Sequence, residues 1–331
     1  SSVSRAPVTR IMTYRTMGLT VGTMGLTISQ RFDPNAHAVI YLGDCLDFLK
    51  QVPSESIALV ITSPPYNIGK PYEDRKALDD YVAWQAEVIR ESARVVKPGG
   101  SLVWQVGNYV EKGEILPLDI VLFPVFQSLG LKLRNRIVWT FEHGLHAKRR
   151  FSGRYEVALW FTKGDDYTFH LDRVRVPQKY PNKRHFKGPR KGELSGNPLG
   201  KNPGDVWSFP NVKANHVEKT AHPAQYPVEL VERFVLALTE EEEWVLDPFG
   251  GSGTTLVAAL MHKRRGAMAE IVPEYVEIAR SRLQQAWEGR LKIRPMERQV
   301  YDPQGSNPYI PPRTVNLKAV WEAQLLLGEG G

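Results

Sequence analysis

Apolar and polar positions follow two alternating patterns along most of the chain. Short apolar runs, such as AVIYL at 38–42 and IALVIT at 57–62, are typical of buried strands. Longer stretches with apolar residues three or four positions apart, such as DYVAWQAEVIRESARVV at 80–96, predict amphipathic helices. Strands that alternate with helices indicate an α/β fold built around a doubly wound, mostly parallel sheet.

Capping and turn-forming residues predict where these elements begin and end. We expect Asp79 or Asp80 to cap the first long helix, and the KPGG run at 97–100 to stop it. A later helix, TTLVAALMHKRR at 254–265, is predicted to end in its cations and Gly266, because positive charge stabilises a helix C-terminus.

Composition excludes several classes of protein. The chain has 331 residues, 42% of them hydrophobic and 24% charged, so it can bury a sizeable core and is not predicted to be disordered. No run approaches about 18 apolar residues, which predicts no membrane-spanning helix, and the first residues lack the apolar core of a secretory signal. Because Cys45 is the only cysteine, neither an internal disulfide nor a thiolate zinc site is expected. We therefore predict a metal-free, cytoplasmic protein.

The positive charge of the chain is concentrated in one segment. The formal net charge is +7, and residues 171–201 alone hold nine basic and two acidic residues, a net +7. The segment is rich in Gly, Pro and Asn and has no apolar period, which indicates a surface excursion between two structured halves. A solvated loop and a phosphate-binding surface are both compatible with this pattern, and a basic run of this length favours phosphate contact.

A glycine-rich turn, DPFGGSGTT, follows a predicted strand that ends at Asp247 and precedes a helix. It is not a P-loop, since no Lys follows Gly253, and it is not a dinucleotide fingerprint, since Leu256 stands where Gly or Ala belongs. Glu270 ends the next strand nineteen residues after Gly251, where a carboxylate would bind ribose hydroxyls. Asp247 would place an acidic group at the mouth of this site, and the turn contains no cation. Such a site suits a ligand with a ribose and a positively charged amine. S-adenosylmethionine fits that description, although the turn alone is also compatible with a purely structural role.

The TSPPY segment at 62–66 predicts a second function at the end of a buried strand. Pro64 and Pro65 fix the backbone, so that the Ser63 hydroxyl and the Pro64 carbonyl can accept hydrogen bonds from an incoming amine, while Tyr66 offers a flat apolar face. Such a site could hold a planar base with an exocyclic NH2. Accepting its N–H bonds would shift electron density onto nitrogen for attack on a sulfonium methyl group.

Four motifs together resemble the S-adenosylmethionine-dependent DNA amino-methyltransferases of the beta arrangement, which belong to restriction–modification systems. They are TSPPYN, DPFGGSGTT, GDCLDFL and HPAQYPVELVERF, and the resemblance covers residues 37–165 and 220–288. It implies a circularly permuted class I methyltransferase fold, because the glycine strand follows TSPPY here instead of preceding it. The ends of the strands at Asp44, Asp247 and Glu270 would then converge at one edge of the sheet.

The resemblance also implies roles for individual residues. The cofactor loop would follow Asp247 and comprise Phe249, Gly250, Gly251, Ser252, Gly253 and Thr254. Glu270 would bind the ribose, Asp44 the adenine amine, and His222, followed by proline, would flank the methionine end of the cofactor. The catalytic motif would be Ser63, Pro64, Pro65 and Tyr66.

The chain is predicted to have five regions. They are an N-terminal arm (1–36), a catalytic half with TSPPY (37–165), a basic target-recognition region (166–219), a cofactor-binding half (220–290) and a C-terminal tail (291–331).

We expect the target atom to be cytosine N4. The family that this chain resembles divides on the first residue of its four-residue catalytic motif, which is Ser63 here. Ser is usual at that position in cytosine N4 enzymes, and Asp is usual in adenine N6 enzymes. An N6-adenine enzyme of the same fold and a non-catalytic DNA-binding relative are the alternatives. A C5-cytosine enzyme is excluded, because it needs a thiol after proline and Cys45 follows Asp44.

Double-stranded DNA is the predicted partner, and a cognate restriction endonuclease could act separately on the same site. Duplex DNA hides the target amine, so the base must be flipped out of the stack. Cations near the site and in the excursion would hold the DNA backbone. The phosphate-binding candidates are Lys148, Arg149, Arg150, Lys183, Arg184, Lys187, Arg190 and Lys191.

Overall fold

The computed structural model describes residues 25–66, 77–144, 146–296 and 310–322. The first 24 residues of the predicted arm, Asn67 of the TSPPYN motif, and residues 297–309 and 323–331 of the predicted tail lie outside the described residues. No helix in the described ranges is long and apolar enough to cross a membrane.

The described part of the chain contains thirteen strands and seven α-helices. The strands are β1 (Ile28–Ser29), β2 (Ala38–Leu42), β3 (Ile57–Thr62), β4 (Val96–Val106), β5 (Asn108–Glu111), β6 (Glu114–Pro117), β7 (Lys132–Thr140), β8 (Tyr155–Thr162), β9 (Val206–Ser208), β10 (Trp244–Asp247), β11 (Arg265–Glu270), β12 (Leu291–Ile293) and β13 (Arg313–Val315). The helices are α1 (Cys45–Leu49), α2 (Leu78–Val95), α3 (Leu118–Ser128), α4 (Val228–Leu238), α5 (Thr254–Leu260), α6 (Pro273–Trp287) and α7 (Leu317–Glu322).

Nine of the strands form one sheet in the order β1-β2-β11-β10-β3-β4-β8-β7-β9. Its strands run parallel except β8, which is antiparallel to both of its neighbours. The central strands β3 and β10 are buried along their whole length and apolar up to their last residues, Thr62 and Asp247, as parallel strands covered on both faces are. The predicted doubly wound, mostly parallel sheet is confirmed.

Two hydrophobic cores lie on the two faces of this sheet. One contains the buried side chains of α1, α2 and α3, and the other contains those of α4, α5, α6 and α7. The structure is therefore a three-layer α/β/α arrangement.

The circular permutation is visible in the strand order. Strands β10 and β11 come from the second half of the sequence, yet they lie between β2 and β3. All four strands are parallel, so their carboxyl ends meet at one edge of the sheet. This edge brings the DPFGGSGTT turn next to TSPPY, although 185 residues separate Thr62 from Asp247. The predicted permuted class I methyltransferase fold is confirmed.

Two predicted helix boundaries are wrong, and one predicted stop signal belongs to a strand. Helix α2 is capped by Ala77 without a side-chain hydrogen bond, and Asp79 and Asp80 lie in its first turn. Helix α2 ends at Val95, directly before the KPGG run at 97–100 that is predicted to stop it, but that run belongs to β4: the Gly99 N–H donates to the Lys163 carbonyl at 2.7 Å and extends the sheet. Helix α5 ends at Leu260, before the cations that are predicted to close it.

The early end of α5 also has a physical reason. The chain turns back after Leu260, with Lys263 at a φ of +61°, so that Arg265 can pair with Trp244, and Gly266 lies inside β11. At the two outer edges of the sheet, β1 comes from the predicted arm and pairs with β2, and β9 comes from the predicted target-recognition region and pairs with β7.

Candidate active site

A cavity of about 410 Å³ opens at the carboxyl edge where β2, β3, β10 and β11 end. Most of the residues predicted from the motifs line it: Asp44, Ser63, Pro64, Pro65, Tyr66, His222, Phe249, Gly250, Gly251, Ser252, Thr254 and Glu270. Asp247 and Gly253 do not line it. The two motifs thus contribute to one cavity, with the DPFGGSGTT loop on one side and TSPPY on the other.

The loop between β10 and α5 requires glycine at two positions. Gly251 and Gly253 have φ angles of +50° and +77°, which side-chain-bearing residues rarely adopt. A Cβ on Gly251 would lie 3.0 Å from His222 Nε2, and a Cβ on Gly253 would lie 2.8 Å from the Ala279 Cβ. The loop therefore packs closely against His222 and Ala279, and the Gly251 backbone lines the cavity without a side chain to cover it.

Glu270 ties this loop to the end of β11. One of its carboxylate oxygens accepts the Gly251 N–H at 2.9 Å, and the other accepts the Val272 N–H at 2.9 Å. Burial raises the pKa of the Glu270 carboxyl, and the backbone hydrogen bonds act in the opposite direction. Each oxygen has a second lone pair, so the carboxylate can accept further hydrogen bonds from hydroxyl groups in the cavity.

Asp247 lies beneath the loop and not at the mouth of the cavity, where the sequence predicts it. Its side chain is fully buried and accepts hydrogen bonds from the hydroxyls of Thr62, Tyr226 and Thr255 at 2.6–2.8 Å. It also accepts the Phe249 N–H at 3.0 Å. Burial raises the pKa of this carboxyl, and its four hydrogen bonds oppose the rise. Asp247 therefore fixes the start of the loop from below and joins β10 to β3.

Asp44 and His222 lie at two further points of the cavity wall. The Asp44 carboxylate caps α1 by accepting the Leu46 N–H at 2.8 Å, and the residue lines the cavity. His222 is buried, and its Nδ1 accepts the Ala224 N–H at 3.2 Å. Its ring packs edge-on against Tyr275, with 4.4 Å between ring centroids.

The TSPPY segment leaves the end of β3 and forms the opposite wall. The Tyr81 hydroxyl of α2 donates to the Pro65 carbonyl at 2.8 Å and fixes the second proline. Ser63 Oγ lies 3.1 Å from the Tyr66 hydroxyl. Ser63, Pro64 and Tyr66 are all presented to the cavity, as the sequence predicts.

Sequence reasoning missed two polar residues beside TSPPY. The Tyr66 hydroxyl is 3.0 Å from Gln105 Oε1 on β4 and 3.0 Å from Glu156 Oε2 on β8. The Gln105 amide also donates to Glu156 Oε2. Neither residue belongs to a recognisable motif. Both lie near the cavity-side ends of strands that the sequence predicts, and this position is the only sequence signal that could have identified them as site residues.

The charges around the cavity favour a cationic ligand. The carboxylates of Asp44, Glu156 and Glu270 line it, and Lys213 is the one lysine or arginine among the described lining residues. Cys45 also lines it, but burial raises the pKa of its thiol to about 12, so it is not a thiolate nucleophile near neutral pH. Among the described residues, no group of three or more His, Cys, Asp or Glu could hold a metal ion.

Two exposed cationic segments lie outside the cavity. Lys148, Arg149 and Arg150 belong to the connection from β7 to β8, and Phe141 and Glu156 at its two ends line the cavity. The excursion carries the second group: Lys183, Arg184, Lys187, Arg190 and Lys191, all exposed. Within that second group, Arg190 pairs with Glu193 at 2.9 Å and Arg184 donates to the Gly192 carbonyl at 2.6 Å.

Comparisons with known proteins agree with this geometry. The family model for N6/N4 DNA methylases matches residues 57–281, about two thirds of the chain. The chain is 56% identical to the type II methyltransferase M.BglII of Bacillus subtilis, over 72% of this chain and 67% of the relative. It is 35% identical to the DNA adenine methyltransferase YhdJ of Escherichia coli (strain K12), over 76% of this chain and 84% of the relative.

Solved structures show the same likeness. The cytosine-N4-specific PvuII DNA methyltransferase aligns with a TM-score of 0.60 and 25% identity, over 73% of this chain and 85% of that one. TTHA0409 of Thermus thermophilus, in complex with S-adenosyl-L-methionine, aligns with a TM-score of 0.54 and 28% identity, over 76% of this chain and 95% of that one. With its cavity, its two motifs and these relatives, the chain belongs to the N6/N4 DNA methylase family, the amino-methyltransferases of restriction–modification systems.

Proposed function

We propose that this chain is a site-specific DNA methyltransferase that moves a methyl group from S-adenosylmethionine to the exocyclic N4 of a flipped cytosine. The observation that carries the proposal is the position of Ser63. Its hydroxyl stands at the end of β3, in the same cavity as the glycine loop and Glu270. A hydroxyl there suits the cytosine amine, as the family pattern of the motif implies.

The cofactor site fits S-adenosylmethionine, which supplies an electrophilic methyl group on a sulfonium. Glu270 would accept hydrogen bonds from the ribose hydroxyls, since its oxygens retain acceptor capacity beside the Gly251 N–H. Asp44 would accept the adenine amine. Three carboxylates line the cavity against one cation, Lys213, among the described lining residues, and this balance favours a cationic cofactor over a nucleotide with a pyrophosphate.

His222 and the loop residues Phe249, Gly250, Ser252 and Thr254 would complete the cofactor site. Phe249 already packs against Trp84 of α2 at 5.4 Å between ring centroids. Asp247 and Gly253 lie outside the cavity wall. Their part would be to hold the loop in the shape that the cofactor needs.

The target base would lie against TSPPY. Ser63 Oγ and the Pro64 carbonyl would accept the two protons of the exocyclic amine, and the Tyr66 ring would stack on the base. The Pro65 carbonyl accepts the Tyr81 hydroxyl, which holds the second proline in place. Fixed acceptors beside the amine draw its lone pair out of conjugation with the ring, which makes nitrogen a better nucleophile.

Duplex DNA would bind across the carboxyl edge of the sheet with the target base flipped into the cavity. Lys148, Arg149 and Arg150 leave the sheet beside the cavity, so they would hold the phosphates nearest the flipped nucleotide. The five cations of the excursion would extend that contact. A cognate restriction endonuclease that cuts the unmodified site stays a prediction.

Adenine N6 is the second candidate. A relative with 35% identity is a DNA adenine methyltransferase, and both bases offer an exocyclic amine to Ser63 and Pro64. The mechanism would be the same and only the base would differ. A non-catalytic DNA-binding relative is less well supported, because both motifs are intact and line the same cavity.

The proposal is tested by the product. The chain is incubated with mixed-sequence duplex DNA and labelled S-adenosylmethionine, and the DNA is then digested to nucleosides and separated by mass. We expect N4-methylcytosine. N6-methyladenine alone would overturn the base assignment, and no transfer to any DNA would overturn the enzymatic function. A Ser63→Ala sample from the same preparation controls for contaminating host methyltransferases.

A further inference from the structure

Ser63, Tyr66 and Glu156 form a continuous chain of hydrogen-bonding groups that leads away from the proposed reacting amine. Ser63 Oγ is 3.1 Å from the Tyr66 hydroxyl, and that hydroxyl is 3.0 Å from Glu156 Oε2. The three residues come from the end of β3 and from β8, two strands that are separated only by β4.

The strand between them leaves room for this contact. Gly107 follows β4, and a Cβ at that position would lie 3.0 Å from the Tyr66 ring and 3.5 Å from Glu156 Oε1. Gln105 of β4 donates its amide to the same Glu156 oxygen that accepts the Tyr66 hydroxyl. The carboxylate is therefore held in place by a neutral donor and faces Tyr66.

The donors and acceptors can all be oriented in one direction. A tyrosine has a single hydroxyl proton, and two acceptors lie 3.0 Å from the Tyr66 oxygen, Gln105 Oε1 and Glu156 Oε2. The charged carboxylate is the stronger acceptor, so Tyr66 donates to Glu156 in the relay. The Tyr66 oxygen can then accept the Ser63 proton, which leaves the Ser63 oxygen as an acceptor for an amine N–H. Burial first, and then the charge of Glu156, raise the pKa of Tyr66 well above its usual value, so Tyr66 keeps its proton for this bond.

We propose that Ser63, Tyr66 and Glu156 form a proton relay, with Glu156 as the acceptor of the proton that the methylated amine loses. The inference rests on the proposed function, in which the substrate is an exocyclic amine. It applies to cytosine and adenine alike, so it does not depend on the base assignment.

The transfer balances in atoms and charge. The amine nitrogen forms a bond to the methyl carbon, the C–S bond breaks, and its electron pair stays on sulfur. The nitrogen, now cationic, gives one proton to Ser63 Oγ as Ser63 gives its own to Tyr66 and Tyr66 gives its own to Glu156. The positive charge on nitrogen and the negative charge on the carboxylate cancel, and Glu156 later releases the proton to solvent.

A relay explains how Ser63, a neutral residue, can act as the first acceptor of the amine proton. The methylated, cationic nitrogen is strongly acidic, so its proton can be lost without a strong base, provided that a hydrogen-bonded acceptor is in place. Serine alone is a neutral acceptor with no negative charge to receive the proton. Glu156 supplies that charge two hydrogen bonds away, and its negative charge also stabilises the cation that develops on nitrogen.

The test uses the full chain and four variants: Glu156→Gln, Tyr66→Phe, the double variant of these two, and Glu156→Ala. Single-turnover methyl transfer is measured at saturating cofactor and DNA. Calorimetry gives cofactor affinity, and a DNA-binding titration gives DNA affinity, so that loss of binding is separated from loss of the chemical step. Tyr155→Phe is the matched control, because it removes an exposed hydroxyl next to Glu156 on β8 that lies outside both the cavity lining and the relay.

We expect each single variant to lower the single-turnover rate by about 10²-fold, the lower range for loss of a proton-transfer group, with little change in cofactor affinity. Because the groups act in series, the double variant should be no slower than the slower single variant. Formate should partly restore Glu156→Ala by supplying a carboxylate, and it should not restore the same variant when Tyr66→Phe is added.

Other outcomes would overturn the relay and leave the proposed function intact. A Glu156→Gln rate equal to that of the wild type would remove Glu156 from the reaction. Rate losses that multiply in the double variant would show that the two residues act independently. Formate restoration without the Tyr66 hydroxyl would show that the carboxylate acts directly and not through Tyr66. The isosteric Glu156→Gln variant keeps the test decisive even if Glu156→Ala folds poorly.

Discussion

The two halves of the cavity are built in different ways. In the cofactor half, the shape comes from the backbone: two glycines with positive φ and the Gly251 N–H held by Glu270. In the base half, the shape comes from side chains, because the Tyr66 hydroxyl bonds both to Ser63 of its own segment and to Gln105 and Glu156 from neighbouring strands. An added side-chain atom should therefore damage the first half, whereas removal of a single functional group should damage the second.

The largest expected effect is on the backbone-built half. Gly251→Val should weaken cofactor affinity by about 100-fold or more, because backbone strain of a few kcal/mol and the contact with His222 displace the loop. Nonspecific DNA affinity should stay within a few fold. Calorimetric titration of the cofactor measures the change.

Gly130→Val is the matched control for this variant. Gly130 has a φ of +72° and nothing within 4 Å of its Cβ position. A valine there would introduce the same kind of backbone strain at a position outside the cavity. Unchanged cofactor affinity in Gly251→Val, or an equal loss in Gly130→Val, would contradict the assignment of this loop.

In the side-chain-built half, Ser63→Ala should cut turnover by about 10²-fold, as the loss of a transition-state hydrogen bond does. Cofactor affinity should be retained, since the Ser63 hydroxyl bonds to Tyr66 on the base side of the cavity. Ser56→Ala, an exposed hydroxyl just before the same strand, is the control and should leave turnover unchanged. Equal turnover in Ser63→Ala and the wild type would remove Ser63 from the chemistry.

Asp247 joins the two halves, and its replacement should appear in stability. Asp247→Asn puts an amide donor where a carboxylate oxygen accepts hydrogen bonds, which should lower the free energy of unfolding by about 2 kcal/mol. Urea denaturation measures the loss. The control is Asp47→Asn on the exposed face of α1, which should leave the urea midpoint unchanged. An unchanged midpoint in Asp247→Asn would show that its hydrogen bonds are dispensable.

The smallest effect concerns the excursion, outside both halves. Replacing Lys183, Arg184, Lys187, Arg190 and Lys191 with Ala should reduce the log–log salt slope of DNA binding by about 0.9 for every phosphate that is no longer neutralised. Arg190 is the weakest candidate, because it already pairs with Glu193. Replacement of exposed Lys50, Lys292 and Lys318 is the control. A slope that the five replacements leave unchanged would make the excursion a solvated loop.

The backbone-built half was the easier one to predict from the sequence. Glycines at fixed spacing and Glu270 after the next strand are local signals, and the structure places Gly251 and Glu270 in one hydrogen bond. The α/β fold could be predicted from local signals too, because apolar runs and helical periodicity are both properties of short sequence segments. The exposure of Asp247 was the exception, because the hydroxyls of Thr62, Tyr226 and Thr255 that cover it come from three separate segments.

The side-chain-built half could be predicted only in part. TSPPY marks the four residues from Ser63 to Tyr66, but Gln105 and Glu156 reach Tyr66 through strand pairing, 39 and 90 residues away in sequence. No spacing rule connects them. Helix boundaries failed for a similar reason: β11 pairs with β10 at Arg265 and ends α5 earlier than its own residues predict.

The most direct test of the account is a structure of the chain bound to S-adenosylhomocysteine and a duplex that contains its recognition sequence. We expect the target cytosine outside the helix, with its amine within hydrogen-bond reach of Ser63 Oγ and the Pro64 carbonyl, its ring on Tyr66, and the cofactor ribose on Glu270. A base that stays stacked in the duplex, or a cofactor that does not contact Glu270, would contradict the claim that the two halves form one active site.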